Sequence, residues 1–310
     1  FECIPGHDQV IFEPKDKPGR AAFRNDLRAR RFDIAFILPH SLGSALDVLR
    51  AGVPAAVGCR EQWRGLLLTI SVDRPLVGLK RQREPMGTEY LRLAEAAGLE
   101  PDDAPPRLEV SEASRLEIDE LLARHGRDPA RRLVGISPGA AFGSTKMWEE
   151  RRYAVVADEL QERYGLQVVL VGAPWETTLL ERVASRTLKP CINLSKETIG
   201  LRLLAALLER LDLLVSTDSG PRHMAHALGR PVVVLMGPTD PVLTNIHLGQ
   251  SRILRAADVS CAPCNLPRCP VDHRCMNRIS IQQVRDAAIE ILDITSDPSK
   301  VSLDSNGKYR

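Results

Sequence analysis

The sequence predicts an α/β chain built on parallel, doubly wound sheets, and three observations carry that expectation. From residue 133 onward, short and continuous β-branched runs alternate with stretches of helical periodicity. The unusual polar and glycine-containing loops of that half all follow strands, on the side where such sheets bind ligands. The 310 residues, 44% of them apolar, are enough to bury two cores of ordinary domain size.

Taken in order, LVGIS (133–137), QVVLV (167–171), CINL (191–194), LDLLV (211–215) and VVVLM (232–236) read as buried strands of a parallel sheet. Between them lie helical stretches at 149–164, from 176, at 201–209 and at 223–228. In the first of these Tyr153, Val156, Ala157, Leu160 and Tyr164 recur at helical spacing. The first half is less regular. FDIAFIL (32–38) reads as a buried strand, SALDVLRAG (44–52) as a helix ending at Gly52, and MGTEYLRLAEAAGL (86–99) as a second helix. Residues 100–130, with Pro101, Pro105, Pro106 and many acids, read as a connection that carries a helix. The expected domains are 1–125 and 126–295, followed by a tail, 296–310, that lacks apolar periodicity and is expected to be disordered.

Charge and cysteine content narrow the class. The net charge of +2 does not favour nucleic acid as a partner, but residues 15–83 carry fourteen Lys/Arg against six Asp/Glu, and residues 84–128 five against twelve. That asymmetry fits either a face for an anionic partner or a solvated Arg-rich surface. No apolar run approaches the roughly 20 residues that span a bilayer, and no signal peptide opens the chain. Seven cysteines, an odd number, suit reduced thiols better than a disulfide framework, and the expected location is cytoplasmic. The first residue is Phe1, so the natural start is expected upstream.

Five loops converge on one crevice: 138–146, 172–176, 195–198, 216–223 and 237–241. In STDSGPRHMAHALGRP, Asp218 or Ser219 is a suitable N-cap, Pro221 suits a first helical turn, and Gly229 with Pro231 ends the helix. The helix then starts at the crevice, where its free N–H groups favour an anion. Gly220 allows close approach to the backbone, and His223 can add a donor or be satisfied locally. Lys146 ends a glycine-containing loop and can neutralise a diphosphate, or stand solvated. Glu176 opens a helix and can accept from ribose hydroxyls, or favour its own helix terminus. No glycine cluster has the spacing of a dinucleotide fingerprint or a P-loop, which disfavours nicotinamide enzymes and P-loop kinases. Cys261, Cys264, Cys269 and Cys275, beside His273, form a candidate structural zinc site, with buried thiols or a disulfide as the alternatives. His223 and His226 lie one turn apart but have no evident third metal ligand.

SPGAAFGSTKMW, STDSGPRHMAHALGRPVVVLMGPTDP and CAPCNLPRCPVDHRCM, with RRFDIAFILPHSLGSALDVLRAGVP and GCREQWRGLLLT in the first half, together resemble glycosyltransferase family 9. The chain is most like the heptosyltransferase II subgroup of the ADP-heptose:lipopolysaccharide heptosyltransferases. The resemblance runs from about Pro5 to about Val284. It implies a GT-B architecture of two Rossmann-like domains facing a cleft, the first of them incomplete here. It also implies an inverting, metal-independent transfer of L-glycero-D-manno-heptose from ADP-heptose to an anionic lipopolysaccharide-core acceptor, at the inner face of the inner membrane. Lys146 and Asp218 are implied as catalytic groups. Lys146, Glu176, Glu197, Asp218, Ser219, Gly220 and His223 are implied around the donor, and Arg60 and Arg64 at the acceptor. No cofactor is implied for catalysis.

In that family an acidic residue on an early glycine-containing loop is proposed as general base, and nothing before Ile11 can be that unit. Asp33 begins a strand away from its ligand-side end, and Asp47 sits mid-helix. The expectation is therefore a chain that binds donor but transfers weakly. Two other readings stay open: a family 9 enzyme with a different nucleotide sugar, and a non-catalytic nucleotide-binding protein.

Overall fold

The computed structural model describes residues 3–11, 16–77, 80–244 and 251–296. The expected disordered tail from residue 297 onward lies outside them. The chain divides into two compact units, with the division at Ala104/Pro105. That is about twenty residues before the expected 125/126 boundary, and the helix at Glu112–Arg124 goes with the larger unit because it packs on the helix at Leu201–Glu209. Arg202 of that second helix and Arg210 just after it pair with Glu117 (2.6 Å) and Asp119 (2.7 Å) of the first.

The smaller unit holds α1 (Lys17–Arg30), β1 (Ile34–Ile37), α2 (Leu42–Ala51), β2 (Ala55–Cys59), β3 (Ile70–Val72), a short antiparallel pair β4 (Leu76–Val77) and β5 (Lys80–Arg81), and α3 (Met86–Ala96). Its parallel sheet runs β1-β2-β3. Ser41 caps α2, and Gly52 ends it in the left-handed region at φ 73°, which a side chain would disfavour. The expectation that 32–38 is a fully buried strand is corrected. β1 is an edge strand, and Phe32, Ile34, Phe36 and Leu38 remain exposed while Ile37 packs with Ala45 and Ala56.

The larger unit holds α4 (Glu112–Arg124), β6 (Leu133–Ser137), α5 (Glu150–Tyr164), β7 (Gln167–Leu170), α6 (Thr177–Ala184), β8 (Ile192–Asn193), α7 (Leu201–Glu209), β9 (Leu213–Thr217), α8 (Gly220–Ala227), β10 (Val232–Leu235), β11 (Arg252–Leu254), α10 (Arg274–Asn277) and α11 (Ile281–Ser296); of the short α9 (Pro241–Thr244) only Pro241 belongs to it, and the rest goes with the smaller unit. Its six strands are all parallel in the order β11-β10-β9-β6-β7-β8. Strand order reverses between β6 and β9, the position where doubly wound sheets open a ligand crevice at the carboxyl ends of the strands. Ser137 and Ser216 are paired in register there.

Alternation along the strands builds two core layers. Val134, Ile136, Val168, Leu170, Leu213, Val215, Val233 and Leu235 face α5, α6 and α11. Leu133, Val169, Val171, Leu214, Val232, Val234 and Met236 face α4, α7 and α8. Both faces are covered, which is why these strands read as continuous apolar runs. Leu160 on α5 is fully buried in the first layer, so Leu160→Ala should cost about 2–5 kcal/mol of unfolding free energy. Leu188→Ala, at a residue 87% exposed, should stay within about 0.5 kcal/mol. Urea denaturation of both variants checks the contrast.

Candidate active site

Three post-strand loops and one helix start enclose a cavity of about 410 Å³ at the switch point. Gly139 and Ala141 follow β6; Gly172, Trp175 and Glu176 follow β7; Ile199 and Leu201 follow β8; Ser219, Gly220 and Met224 follow β9. Most of the wall is apolar, with Trp175 exposed at the rim. Such a wall suits a flat heterocycle better than a hydrated sugar.

Glu176 is positioned from both sides. Its Oε2 accepts from the Ala173 amide at 2.8 Å, and its carboxylate lies over Gly139, where a Cβ would come within 1.9 Å of Oε1. Gly139 is in turn tied to the end of β9, since Thr217 Oγ1 donates to its carbonyl at 2.6 Å. The glycine therefore serves a close approach, and a carboxylate oxygen is held at the cavity wall.

Asp218, immediately beyond β9, gathers two cations. Its Oδ2 lies 3.3 Å from Lys146 Nζ and its Oδ1 3.2 Å from Arg222 Nε; its side chain is 3% exposed, that of Arg222 1% and that of Lys146 13%. Lys146 Nζ also donates to the Asp218 carbonyl at 2.7 Å and stands 5.1 Å above the centre of the Phe142 ring. Burial alone would raise the Asp218 pKa, but the Arg222 and Lys146 cations outweigh it and hold the carboxyl below its ordinary value. Asp218 is thus a fixed anion that positions Lys146. Arg222 completes this buried cluster and was not singled out from the sequence, although its i+4 spacing from Asp218 was a usable signal.

Ser219 is the N-cap of α8 by position, but its hydroxyl turns to Ser216 Oγ (3.2 Å) and the Thr217 carbonyl, not to the first-turn amides. Pro221 lies in the first turn as expected, and Gly229 follows the helix at φ 70°. Gly220 has open space where a Cβ would stand, so the fold itself does not require glycine there. His223 is exposed; burial of its base and the nearby Arg222 hold its pKa below the usual imidazole value. His226 turns away to Ser251 Oγ at 3.2 Å and forms no metal pair with it.

Two expectations, for Glu197 and Arg64, need correction. Glu197 does not line the cavity: its carboxylate pairs with His125 Nε2 at 2.8 Å, and Ile199 and Leu201 of the same segment form the wall instead. Arg64 cannot meet an acceptor. It is 1% exposed and spends its guanidinium on the carbonyls of Cys59 (2.8 Å), Ile37 (3.5 Å) and Pro39. Arg60, by contrast, is 57% exposed, 2.9 Å from Ser71 Oγ and 3.6 Å from Asp73. Asp47 is held by Arg20 (2.5 Å) and Arg24 (3.0 Å), and although burial works the other way, they lower its pKa, which leaves a poor proton acceptor. Asp33 is exposed at the start of β1.

Cys261, Cys264, Cys269 and Cys275 are free thiols around a cavity of about 150 Å³. No three of their sulfurs lie within 4.8 Å of one another. Among the described residues only His40, Cys59 and Glu89 bring three ligand atoms within 4.8 Å of one another, and there Arg74 already donates to Glu89 as the resident cation. The cysteine segment instead braces the Lys146 loop. Thr145 Oγ1 donates to the Leu266 carbonyl (2.6 Å), the Thr145 carbonyl meets His273 Nε2 (2.7 Å), and Gly143 packs so closely on Pro267 that a Cβ would lie 2.3 Å from its oxygen.

With this geometry in view, comparison with known proteins decides the family. The model of glycosyltransferase family 9 (heptosyltransferase) matches residues 20–274. The chain belongs to glycosyltransferase family 9. It is 32% identical to lipopolysaccharide heptosyltransferase 2 of Escherichia coli K12 over 270 residues, covering 82% of this chain and 73% of that protein. The solved structure of E. coli ADP-heptose lps heptosyltransferase II matches with a TM-score of 0.74 at 29% identity, over 89% of this chain and 81% of that one. The family 9 glycosyl transferase from Veillonella parvula shares the fold, with a TM-score of 0.74 at 23% identity over 90% of this chain and 80% of that one. The GT-B class expected of a family 9 glycosyltransferase is thereby met. Among the described residues no helix is long and apolar enough to cross a membrane.

The buried cluster yields a pH prediction. At neutral pH Asp218→Asn should cost about 3–5 kcal/mol, because it removes the anion between two cations that are largely out of water. The native pKa is depressed, so the carboxylate's contribution is fully present above the unfolded value, about pH 4, and is lost as pH falls through the native value. The gap in urea unfolding between the wild type and D218N should therefore hold from pH 7 to about pH 4 and narrow below it; a gap that stays constant under pH 4 would assign the loss to shape.

Proposed function

We propose that this protein is a heptosyltransferase of lipopolysaccharide core biosynthesis that takes ADP-heptose as donor and works by direct, inverting displacement without a metal ion. The observation that carries this reading is the cavity at the strand-order reversal, with the Glu176 carboxylate in its wall and the Lys146–Asp218 pair beside the start of α8. Its apolar wall receives the adenine, Glu176 accepts from the ribose hydroxyls, and the diphosphate reaches Lys146 and the free amides of α8, with His223 as a further donor. The kinship with proteins named heptosyltransferase 2, one solved as an ADP-heptose enzyme, supports the choice of sugar and base.

In the displacement an acceptor hydroxyl attacks the anomeric carbon as the bond from that carbon to the β-phosphate oxygen breaks. The electron pair leaves with ADP, and the hydroxyl proton passes to a base. Lys146 and the first-turn amides supply the positive field that stabilises the charge gathering on departing ADP. Asp218 keeps Lys146 in place. No residue of this chain is assigned as the base. The acceptor is an anionic, lipid-linked saccharide met by the smaller unit, where Arg60 is available, and the reaction is cytoplasmic, at the inner face of the membrane.

Calorimetry tests the donor site. ADP should bind in preference to UDP and GDP, and Lys146→Ala should weaken it by about one to two decades, the loss of one charge-assisted contact. Gly220→Ala should leave the unfolding midpoint in place yet weaken ADP, because only a bound phosphate occupies the space its methyl would take. Binding indifferent to base and to Lys146 would overturn the donor assignment. Transfer from ADP-heptose undiminished by a chelator, with product of inverted anomeric configuration, would support the remainder; dependence on an added divalent cation would remove it.

A further inference from the structure

The smaller unit carries an exposed feature that the donor site does not use. Between β2 and β3 the chain makes two turns of 3₁₀ helix, Gln62–Leu67. Residues three apart eclipse one another in that helix, so Trp63 and Leu66 stand on one side. They are 80% and 84% exposed, among the largest apolar exposures in the described structure. The turn beneath them is firmly fastened: Arg64 is buried under it on the carbonyls of Cys59 and Ile37, and Leu67 and Leu68 pack on the Ile37–Ala45–Ala56 core. Gly65 lets the stem of Arg60 lie along the turn, since a Cβ at that position would be 2.9 Å from Arg60 Cγ, and the Arg60 side chain stays 57% exposed while its guanidinium meets Ser71 Oγ (2.9 Å) and Asp73 (3.6 Å).

We propose that this turn is an interfacial anchor, with Trp63 and Leu66 entering the surface of an anionic lipid bilayer and Arg60 meeting its headgroups. An indole and a leucine beside a snorkelling cation suit the boundary between acyl chains and headgroups. Residues 15–83 carry fourteen basic against six acidic residues, and although Arg64, Arg20, Arg24 and Arg74 are spent on the protein's own groups, the net sign is the one an anionic surface attracts. Two side chains on one turn are too small for a stable protein interface, which buries on the order of 800 Å² on each partner, whereas partition into a bilayer needs no shaped partner. The proposal rests on the reading of the acceptor as lipid-linked, and it names the residues that bring the enzyme to that lipid.

The test is co-sedimentation of the full chain with vesicles of phosphatidylcholine alone and of phosphatidylcholine mixed with phosphatidylglycerol, at low and high salt. Wild type should partition onto the anionic vesicles, more weakly at high salt, and Trp63→Ala/Leu66→Ala should lose about tenfold or more of that partition. Trp175→Ala, which removes an exposed indole from the larger unit, should keep it. In a Trp175→Phe background the indole emission should shift to the blue on adding anionic vesicles, because the remaining tryptophan, Trp148, is buried. Urea midpoints of all variants separate lost binding from lost folding; if the double variant unfolds, Trp63→Gln takes its place. Undiminished partition of the double variant, an unmoved emission, or self-association in vesicle-free buffer that the double variant abolishes would each overturn the anchor. ADP titrations of the same proteins keep the two readings apart. Failure of wild type to bind ADP while vesicle binding persists sinks the donor assignment and leaves the anchor standing.

Discussion

The site in the larger unit depends on a buried carboxylate that has to be paired. Asp218 sits at the strand-order reversal with almost no access to water, and an ion there is tolerable only beside opposite charge. Arg222 reaches it from the first turn of α8, and Lys146 reaches it from the loop after β6. Lys146 is the member of the trio with access to solvent, so the pairing points a cation at the ligand side of the sheet and holds it there before any ligand arrives. Preorganisation of this kind makes a positive charge effective against a leaving group, since no side chain has to be ordered as the charge develops.

The loop that delivers Lys146 has little structure of its own, and its shape is imposed by the segment that carries four cysteines. Contacts from Thr145 to Leu266 and His273, and the close stacking of Gly143 on Pro267, bind the two segments over more than a hundred residues of sequence. The thiols line a small cavity beneath these contacts. The same segment therefore both carries the four thiols and fixes the shape of the Lys146 loop.

The smaller unit shows the opposite arrangement of charge. Arg64, expected to meet an acceptor, is consumed by strand-end carbonyls, and its burial holds the turn that presents Trp63 and Leu66. Glu89 is likewise enclosed by Arg74 and His40. Buried cations here satisfy backbone and carboxylate groups, whereas Arg60, just before the turn, keeps more than half of its side chain exposed.

The sequence by itself determined the alternation of strand and helix, the parallel sheet and the loops at its ligand side. Each of these follows from local periodicity and from turn chemistry such as that of Pro221, Gly229 and Gly52. Lys146, Glu176 and the start of α8 were legible because their loops follow strands. Only the tertiary structure decided which carboxylates and guanidinium groups are spent on the protein's own groups. Glu197 goes to His125, Asp47 to Arg20 and Arg24, and Arg64 to three carbonyls. It also decided that β1 is an exposed edge and that the helix at 112–124 joins the larger unit. The physical reason is the same in each case: a charge or an apolar face takes its role from its partner, and most of these partners stand tens of residues away in the chain.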